Sequence, residues 1–425
     1  MTNLIPTPTR FQPLIARLSL FTLLATFSST GFAEKKPDLS RLVVVGDSLS
    51  AGFQNGSLLD IQQPHGYASL VASQARTMLP LPLIAAPGIP NVLTLVSPGP
   101  PPIIVPALGT STGRDNMFLQ PMDLAVPGAN VQDALTTRPT PAFTTYTDVV
   151  LGLPGLLSGV SRSQVEWAES LSPTTLLVWL GNNDALAVIF TADPAILTPV
   201  ALFKTAYEEV ASRLAATGAT LVFANIPDVT VIPYLTSAEK VAAQTGLPLS
   251  VVGPILGISP GDFVTPDAFP LILARLADPS LGSLPSHVVL DASEVSIVRT
   301  RIDAYNEIIE TQARAKGAAL VDIHQLLTQI QDKGFVTGGQ RMTTDFLGGI
   351  FSLDGIHPTN TGYGIVANAF IKELNQTFAA GIPPLSVEQI KKTDPLVLAD
   401  ASRSTSPHGH ISRDAVRSLR SVVLH

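Results

Sequence analysis

The sequence predicts an α/β protein, a three-layer α/β/α sandwich around a mainly parallel, doubly wound sheet. Two observations predict this class. Short, almost purely apolar runs alternate along the chain with longer segments in which apolar residues recur at helical spacing. Each apolar run stops at a turn rich in glycine, asparagine, aspartate or proline. Such runs are typical of strands buried on both faces, and their alternation with helices indicates parallel β-α-β units.

The first strand is predicted at residues 42–45, where the apolar run stops at Gly46. Ser48 follows, which places it at the carboxyl end of a parallel strand, the edge at which open α/β sheets bind ligands. Later apolar runs predict strands at residues 123–126, 175–180, 220–224 and 319–323. Helical spacing predicts helices at residues 67–79, 161–170, 202–217, 298–316 and 359–378. Gly218 and Gly317 each follow a predicted helix, which is typical of a helix C-terminus.

Two stretches interrupt this alternation and are interpreted as insertions, at about residues 80–112 and 231–289. The first is rich in proline, which removes backbone donors and breaks regular elements. It is either a plain connector or a wall or lid beside a site. From about residue 385 the alternation is lost, which predicts a flexible tail at 385–425. One catalytic domain of roughly residues 37–380 is therefore expected.

The N-terminus has the order of parts of a secretory signal peptide. Arg10 and Arg17 precede an apolar stretch at residues 18–27, and small residues at Gly31 and Ala33 offer a cleavage site. An uncleaved membrane anchor is the alternative, but about ten apolar residues are fewer than the roughly 20 that span a bilayer. We expect a signal peptide at residues 1–33, cleavage near Ala33, and export to the periplasm or the medium.

Composition excludes several classes of function. Charged residues make up 14% of the chain, against roughly 25% in an average globular protein. The net charge is −7 and no basic stripe is present, which argues against nucleic-acid binding. The absence of cysteine excludes disulfides, thiolate metal sites and a cysteine nucleophile. Phosphate-binding and dinucleotide-binding glycine motifs are absent, and neither a cofactor nor a metal ion is expected.

Four short motifs carry the candidate chemistry. They are Gly46-Asp47-Ser48-Leu49-Ser50, Pro127-Gly128-Ala129, Gly181-Asn182-Asn183-Asp184 and Asp354-Gly355-Ile356-His357-Pro358. Because the carboxyl ends of parallel strands meet at one edge of a sheet, we expect Ser48, Gly128 and Asn183 to lie close together. Asp47 and Asp184 are interpreted as turn and cap residues.

A serine, a histidine and an aspartate in these motifs can form a nucleophilic site. The Ser48 hydroxyl is a poor nucleophile until a base removes its proton. His357 can act as that base, since a histidine imidazole takes up and releases protons near neutral pH. Asp354 lies three positions earlier, so one loop can deliver both groups. Its carboxylate can orient the ring and stabilise the imidazolium.

The four motifs, in this order, resemble the sequence blocks of the SGNH/GDSL hydrolases, and the resemblance spans about three quarters of the chain. It implies a flavodoxin-like sandwich and an ester-cleaving activity. It assigns Ser48 as nucleophile, with His357 and Asp354 completing a catalytic triad. It also implies an oxyanion hole formed by the backbone N–H groups of Ser48 and Gly128 and the side-chain amide of Asn183. The neighbouring Asn182 is a rival for that last role, and the family pattern selects Asn183.

The sequence therefore predicts an exported serine esterase or lipase. Apolar insertion segments at residues 81–108 and 251–284 are expected to wall an acyl chain, which favours fatty-acyl or lipid esters. The chain has only two Trp and six Tyr to offer as sugar-binding platforms. A carbohydrate or peptidoglycan O-acetylesterase and a catalytically silent envelope binding protein remain as alternatives. The expected partner is a small-molecule or lipid ester, with membrane-surface contact and oligomeric state left open.

Asp322 and His324 form one further polar pair, and they flank Ile323 at the end of a predicted strand. They are either a second acid/base or metal pair, or ordinary polar residues at a strand terminus. The second interpretation is favoured, because no third ligand has compatible spacing.

Overall fold

The computed structural model describes residues 1–2, 36–97 and 102–397. It separates into two compact units, Met1–Lys35 and Lys36–His425, and the fold below is that of the second unit. Apart from its first two residues, the predicted signal peptide lies outside the described residues, as do residues 398–425 of the predicted tail.

The described part of this unit combines one parallel sheet with three small antiparallel sheets. The strands are β1 Leu42–Gly46, β2 Leu93–Ser97, β3 Ile103–Pro106, β4 Thr175–Trp179, β5 Thr220–Ala224, β6 Thr236–Ser237, β7 Phe263–Val264, β8 Val289–Leu290, β9 Ala319–Val321, β10 Phe335–Thr337 and β11 Gln340–Met342. The α-helices are α1 Tyr67–Gln74, α2 Val131–Thr136, α3 Tyr146–Leu151, α4 Gln164–Ser170, α5 Asn182–Leu186, α6 Val188–Thr191, α7 Val200–Ala216, α8 Ala238–Thr245, α9 Leu249–Leu256, α10 Ala268–Ala277, α11 Ala292–Lys316, α12 Ile323–Lys333, α13 Asn360–Phe378 and α14 Val387–Thr393. None of these helices is long and apolar enough to cross a membrane.

The central sheet has the order β1-β4-β5-β9, and all its strands are parallel. A fifth segment, predicted as the strand at residues 123–126, runs parallel to β1 along its free edge. The Val44 N–H donates to the Met122 carbonyl (2.9 Å), and the Leu124 N–H donates to the Val44 carbonyl (3.0 Å). Counted in chain order, the five segments lie 2-1-3-4-5, which is a doubly wound order. The predicted fold class is confirmed.

Burial explains why the sheet strands read as unbroken apolar runs. Every residue of β1 and of β4 is buried, because helices cover both faces of the sheet. Helix α1 packs against α13, while α7 packs against α2, α4 and α11. The carboxyl ends of β1 and β4 are adjacent, since Gly46 pairs with Trp179. The chain turns that follow these two strands therefore share one edge.

Helix α11 begins six residues before its predicted start at residue 298. Its N-terminus is a capping box: the Asp291 carboxylate accepts hydrogen bonds from the N–H groups of Ser293 and Glu294, and the Glu294 side chain accepts from the Asp291 N–H. The predicted start missed Val295, the first buried position of the apolar period, and the capping turn that precedes it.

The second insertion, predicted at residues 231–289, folds as a small subdomain with a hydrophobic core of its own. It contains α8, α9, α10 and the antiparallel sheet β6-β7-β8. Its apolar side chains form a cluster separate from the main core, with Val252, Leu256 and Val264 among its fully buried members. The first insertion is not purely irregular, because it contains the antiparallel hairpin of β2 and β3.

The chain stays packed beyond residue 385, where the flexible tail was predicted to begin. The Asn368 side chain donates to the Leu385 carbonyl (3.0 Å) and accepts from the Leu385 N–H (2.8 Å). Farther on, buried Asp394 accepts hydrogen bonds from the N–H (2.8 Å) and the hydroxyl (2.7 Å) of Thr361 in the first turn of α13. These polar contacts hold residues 385–397 against α13, although the local sequence has no regular apolar period.

Candidate active site

Ser48 lies in the tight turn that follows β1. A side chain at Gly46 has no room, because a Cβ added there would lie 2.3 Å from Ser50 Oγ. Asp47 shapes the turn: its Oδ1 accepts the Leu49 N–H (3.0 Å) and its carbonyl accepts the Ser50 N–H (3.1 Å). Such side-chain bonds two residues ahead are typical of aspartate in turns.

The structure brings Ser48, His357 and Asp354 into one hydrogen-bonded line. His357 Nε2 lies 2.8 Å from Ser48 Oγ, and His357 Nδ1 lies 3.0 Å from Asp354 Oδ2. All three side chains are buried. Because Nδ1 faces a carboxylate, it carries the ring proton, and the Nε2 lone pair is left to accept the serine hydroxyl hydrogen. This arrangement can remove a proton from Ser48 as its oxygen attacks an electrophile.

Four hydrogen bonds hold Asp354 as a carboxylate. Oδ1 accepts the backbone N–H groups of Ile356 (2.9 Å) and His357 (2.8 Å). Oδ2 accepts the Gly56 N–H (2.7 Å) in addition to the imidazole. Burial raises the pKa of this carboxyl, but the charge of His357 and the hydrogen bonds outweigh burial, so the pKa lies below its ordinary value.

The loop that carries Asp354 and His357 is anchored by residues that the sequence analysis did not identify. Asn55 Oδ1 accepts the Leu353 N–H (3.1 Å), and the Asn55 N–H donates to Ser352 Oγ (3.0 Å). The Phe53 ring packs on the imidazole of His357, with 4.6 Å between ring centroids. These partners are about 300 residues apart in sequence, so no local sequence pattern predicts the contacts.

Gly128 lies in a turn whose geometry requires glycine. The Val126 carbonyl accepts the Ala129 N–H (3.1 Å) and so closes a four-residue turn. Gly128, the third residue of this turn and directly after Pro127, has φ +82°. This is the pattern of a type II turn, in which the third residue needs positive φ. Among the described residues, the N–H groups of Gly128 and Ser48 have no hydrogen-bond partner. Both are available to bind an oxygen atom.

The two adjacent asparagines point to different partners. Asn183 Nδ2 donates to the Ala129 carbonyl (2.9 Å), next to Gly128. Asn182 Nδ2 donates instead to Asp47 Oδ2 (2.8 Å). Asn183 therefore belongs with the Gly128 turn, whereas Asn182 joins the turn of the serine to the end of β4.

Asp47 and Asp184, the two other buried acids of the motifs, bind backbone N–H groups and form no hydrogen bond with the side chains of Ser48 or His357. Asp184 Oδ2 accepts the Val131 N–H (3.0 Å) and so ties the asparagine motif to the start of α2. Burial raises the pKa of Asp47 to about 7, against the lowering effect of hydrogen bonds from Asn182 and Leu49. The interpretation of Asp47 and Asp184 as turn and cap residues agrees with these contacts.

A narrow apolar pocket adjoins Ser48 and Asn183, with a cavity volume of about 50 Å³. Its walls are almost wholly aliphatic and include Leu186, Ile232, Leu326, Ile330, Ile356 and Val366. They come from α5, from the loop after β5, from α12, from the loop that carries Asp354 and His357, and from the first turns of α13. The predicted wall segments at residues 81–108 and 251–284 contribute nothing to this pocket. Of the second insertion, Ile232 at its start is a wall residue.

A second, open groove of about 440 Å³ lies at Gly128. It is bounded by the Val126–Ala129 turn, by the start of α3 with Thr145 and Tyr146, and by Ile89 and Pro90 of the first insertion. That insertion thus does form a wall beside the site, at the groove rather than at the aliphatic pocket. The Tyr146 ring packs edge-on against Phe53, the ring that covers His357.

Asp322 and His324 stand apart from the Ser48 cluster. Asp322 caps α12 by accepting the Gln325 N–H (2.9 Å), and it also accepts Asn225 Nδ2 (2.8 Å). His324 Nδ1 lies 3.1 Å from the Ile226 carbonyl. Within the described part of the chain, no three His, Asp or Glu side chains are grouped so that they could hold a metal ion.

Comparisons with known proteins identify one family. The profile of the family described as GDSL-like lipase/acylhydrolase matches residues 42–370. Solved structures with a similar chain course include LAE5, an α/β hydrolase from the metagenome of Lake Arreo, Spain, at 15% identity, covering 79% of this chain and 95% of that one, with a TM-score of 0.36. They also include phospholipase A1 from Streptomyces albidoflavus NA297, at 14% identity, 79% and 100% coverage and a TM-score of 0.34. The comparison with curated protein sequences gives no match.

Proposed function

Since the chain belongs to the GDSL-like lipase/acylhydrolase family and is an ester hydrolase, we propose that it cleaves fatty-acyl esters through an acyl-enzyme on Ser48. The observation that carries the proposal is the line Asp354–His357–Ser48 at the mouth of an aliphatic pocket. A hydroxyl activated in this way can attack a carbonyl carbon, and the pocket offers a dry site for the methylenes nearest the carbonyl of an acyl chain.

In the first half of the reaction, Ser48 Oγ attacks the ester carbonyl while His357 Nε2 takes the hydroxyl proton. Negative charge then develops on the carbonyl oxygen. The free N–H groups of Ser48 and Gly128 and the amide of Asn183 stabilise it, because they are already oriented before the charge appears. The imidazolium, stabilised by Asp354, donates its proton to the leaving alkoxide as the tetrahedral intermediate collapses.

In the second half, a water molecule takes the place of the departed alcohol. His357 removes a proton from the water, the resulting nucleophile attacks the acyl carbonyl, and the serine oxygen leaves with that proton. The methylenes nearest the carbonyl stay in the aliphatic pocket between the two halves, whereas the alcohol must depart. The open groove at Gly128 suits that departure, since it leads to solvent.

The acyl-chain assignment is tested by substitution in the α12 wall. Ile330→Trp narrows the pocket without touching Ser48, Asn183 or His357, so kcat/KM for p-nitrophenyl acetate should stay within about threefold. For the decanoate it should fall about tenfold or more, since about two methylenes lose their site and each is worth roughly 0.8 kcal/mol. Leu273→Trp is the matched control, because Leu273 is 69% exposed and lies outside the pocket. An unmodified protein that prefers acetyl and turns over nothing beyond butyryl would point to an O-acetylesterase.

The asparagine pair gives a second test of the site. Asn183→Ala should lower kcat by about 10²–10³ with little change in KM, because an oxyanion donor acts mainly in the transition state. Asn182→Ala should instead lower the free energy of unfolding by about 1–3 kcal/mol, since it removes a hydrogen bond from buried Asp47. Equal losses of kcat in both variants, measured with p-nitrophenyl butyrate, would contradict the assignment.

We also propose that the protein is exported after cleavage near Ala33. The charged residues, apolar stretch and small residues of the first 33 positions support this. N-terminal sequencing of protein recovered from the periplasm or medium checks the cleavage site.

A further inference from the structure

The first insertion contains an uncharged stretch that the proposed chemistry does not use. Residues 77–113 include no ionisable side chain and no aromatic one, in a chain that is 14% charged overall. At that frequency, a stretch of this length would carry about five charged residues. The two strands of the hairpin, β2 and β3, lie inside it.

Both faces of this hairpin are largely apolar, with Thr94 an exposed polar residue opposite Val105. Leu93 and Ile104 are buried against the main core, as expected for one face of an antiparallel pair. The other face should be polar if it met only water. Instead Val96, Ile103 and Val105 are 63%, 53% and 40% exposed, and Leu108, just after β3, is 95% exposed. Exposed aliphatic groups gathered on one element mark an interaction surface.

The hairpin is joined directly to the rim of the candidate active site. The Leu93 N–H donates to the Asn55 carbonyl (2.9 Å), and Leu58 and Ile89 exchange two backbone hydrogen bonds (3.0 Å each). Asn55 holds the loop of Asp354, as described above. Ile89, four residues before β2, also lines the groove at Gly128. A surface that engages the hairpin therefore lies next to the groove at Gly128.

We propose that the exposed face of the β2–β3 hairpin docks on the apolar surface of a lipid layer, so that the groove at Gly128 opens toward esters held in that layer. The proposal rests on the proposed function, because a fatty-acyl ester is concentrated in such a layer. Residues 77–113 contain no Lys or Arg, which argues against recognition of anionic headgroups, since that relies on basic residues. The absence of aromatic residues is unlike the core of a protein–protein interface. Aliphatic side chains with no charge match hydrocarbon.

Proline supports shallow insertion of this hairpin. Pro102 lies immediately before β3, and Pro106 is its last residue. A proline has no N–H, so it leaves no donor to be stripped of water when backbone approaches an apolar phase.

Flotation with phosphatidylcholine vesicles tests the proposal. In a Ser48→Ala background, which prevents lipid hydrolysis, we expect the protein to float with the vesicles. Adding Val96→Asp and Val105→Asp should reduce the bound fraction at least tenfold. The control adds Leu202→Asp and Leu273→Asp, two exposed leucines outside the hairpin, and should float like the parent. Size-exclusion chromatography of each protein reports whether the hairpin face joins two copies instead.

Hydrolysis assays on proteins that retain Ser48 distinguish failure of the docking proposal from failure of the proposed function. The hairpin double variant should cleave soluble p-nitrophenyl butyrate within about twofold of the parent, yet lose at least tenfold on the same class of ester presented in vesicles. Absence of flotation, equal flotation of the hairpin variant, or a dimer that the hairpin substitutions dissolve would each overturn the docking proposal. Failure to cleave the soluble ester would overturn the proposed function, while flotation would still decide the docking.

Discussion

Replacing Ser48 by alanine is expected to lower kcat for p-nitrophenyl butyrate by roughly 10⁴- to 10⁶-fold. The substitution removes the hydroxyl that His357 Nε2 is placed to deprotonate, at 2.8 Å. What remains is the oxyanion site, which cannot form an acyl-enzyme. Because Ser48 and His357 act as one unit, the double variant Ser48→Ala/His357→Ala should be no slower than either single variant.

The free energy of unfolding should be almost unchanged in Ser48→Ala. The Ser48 side chain is small, and the turn is held by backbone and by Asp47 rather than by Oγ. Denaturant midpoints for the parent and for Ser48→Ala should therefore agree closely. A fluorophosphonate probe should label the parent at Ser48 and leave the variant unlabelled. If purified Ser48→Ala protein kept a substantial rate, the nucleophile would have to be sought elsewhere.

Asp354→Asn is expected to lower kcat by about 10⁴-fold. An amide placed at Oδ2 would direct its NH₂ toward His357 Nδ1 and toward the Gly56 N–H, both of which now donate to that oxygen. The imidazole would then favour the tautomer with its proton on Nε2, which cannot accept the Ser48 hydrogen. Asp184→Asn, which alters a buried acid that serves α2, is the control and should retain far more of the rate.

Asp354→Asn should also change how the free energy of unfolding depends on pH. The folded-state pKa of Asp354 lies below its ordinary value, so the ionised carboxylate stabilises the folded protein above the unfolded pKa of about 3.9. That stabilisation is lost as the pH falls through the lower folded pKa. Urea unfolding should therefore show a gap between parent and Asp354→Asn that is largest near pH 6 and narrows toward pH 3. A gap that is constant over this range would contradict the linkage.

The strands and motifs were predictable because their signals are local. Strand β1 is fully buried, and such a strand reads as an unbroken apolar run whatever lies far away in sequence. The resemblance to SGNH/GDSL hydrolases rested on four short motifs, and the family match over residues 42–370 confirms it. The start of α11 was missed because the capping box that sets it, at Asp291, precedes the first buried apolar position, Val295.

The pocket walls and the packed segment at 385–397 were not predictable in the same way. Apolar composition suggested that the insertions would wall the acyl chain, but composition does not say where a segment folds. Asn55, Gly56 and Asp394 resemble any loop residue in the sequence. Their importance arises from hydrogen bonds to Leu353, Asp354 and Thr361, which lie far from them along the chain.

By itself, the sequence determined the α/β class, the family and the candidate nucleophile, base and acid, because each depends on residues close together in the chain. Only the tertiary structure decided what Asn182 and Asn183 each bind, which helices enclose the aliphatic pocket, and which loop supports Asp354. Those features depend on distances between segments up to about 300 residues apart, and such distances are set by packing across the whole sheet rather than by any local pattern.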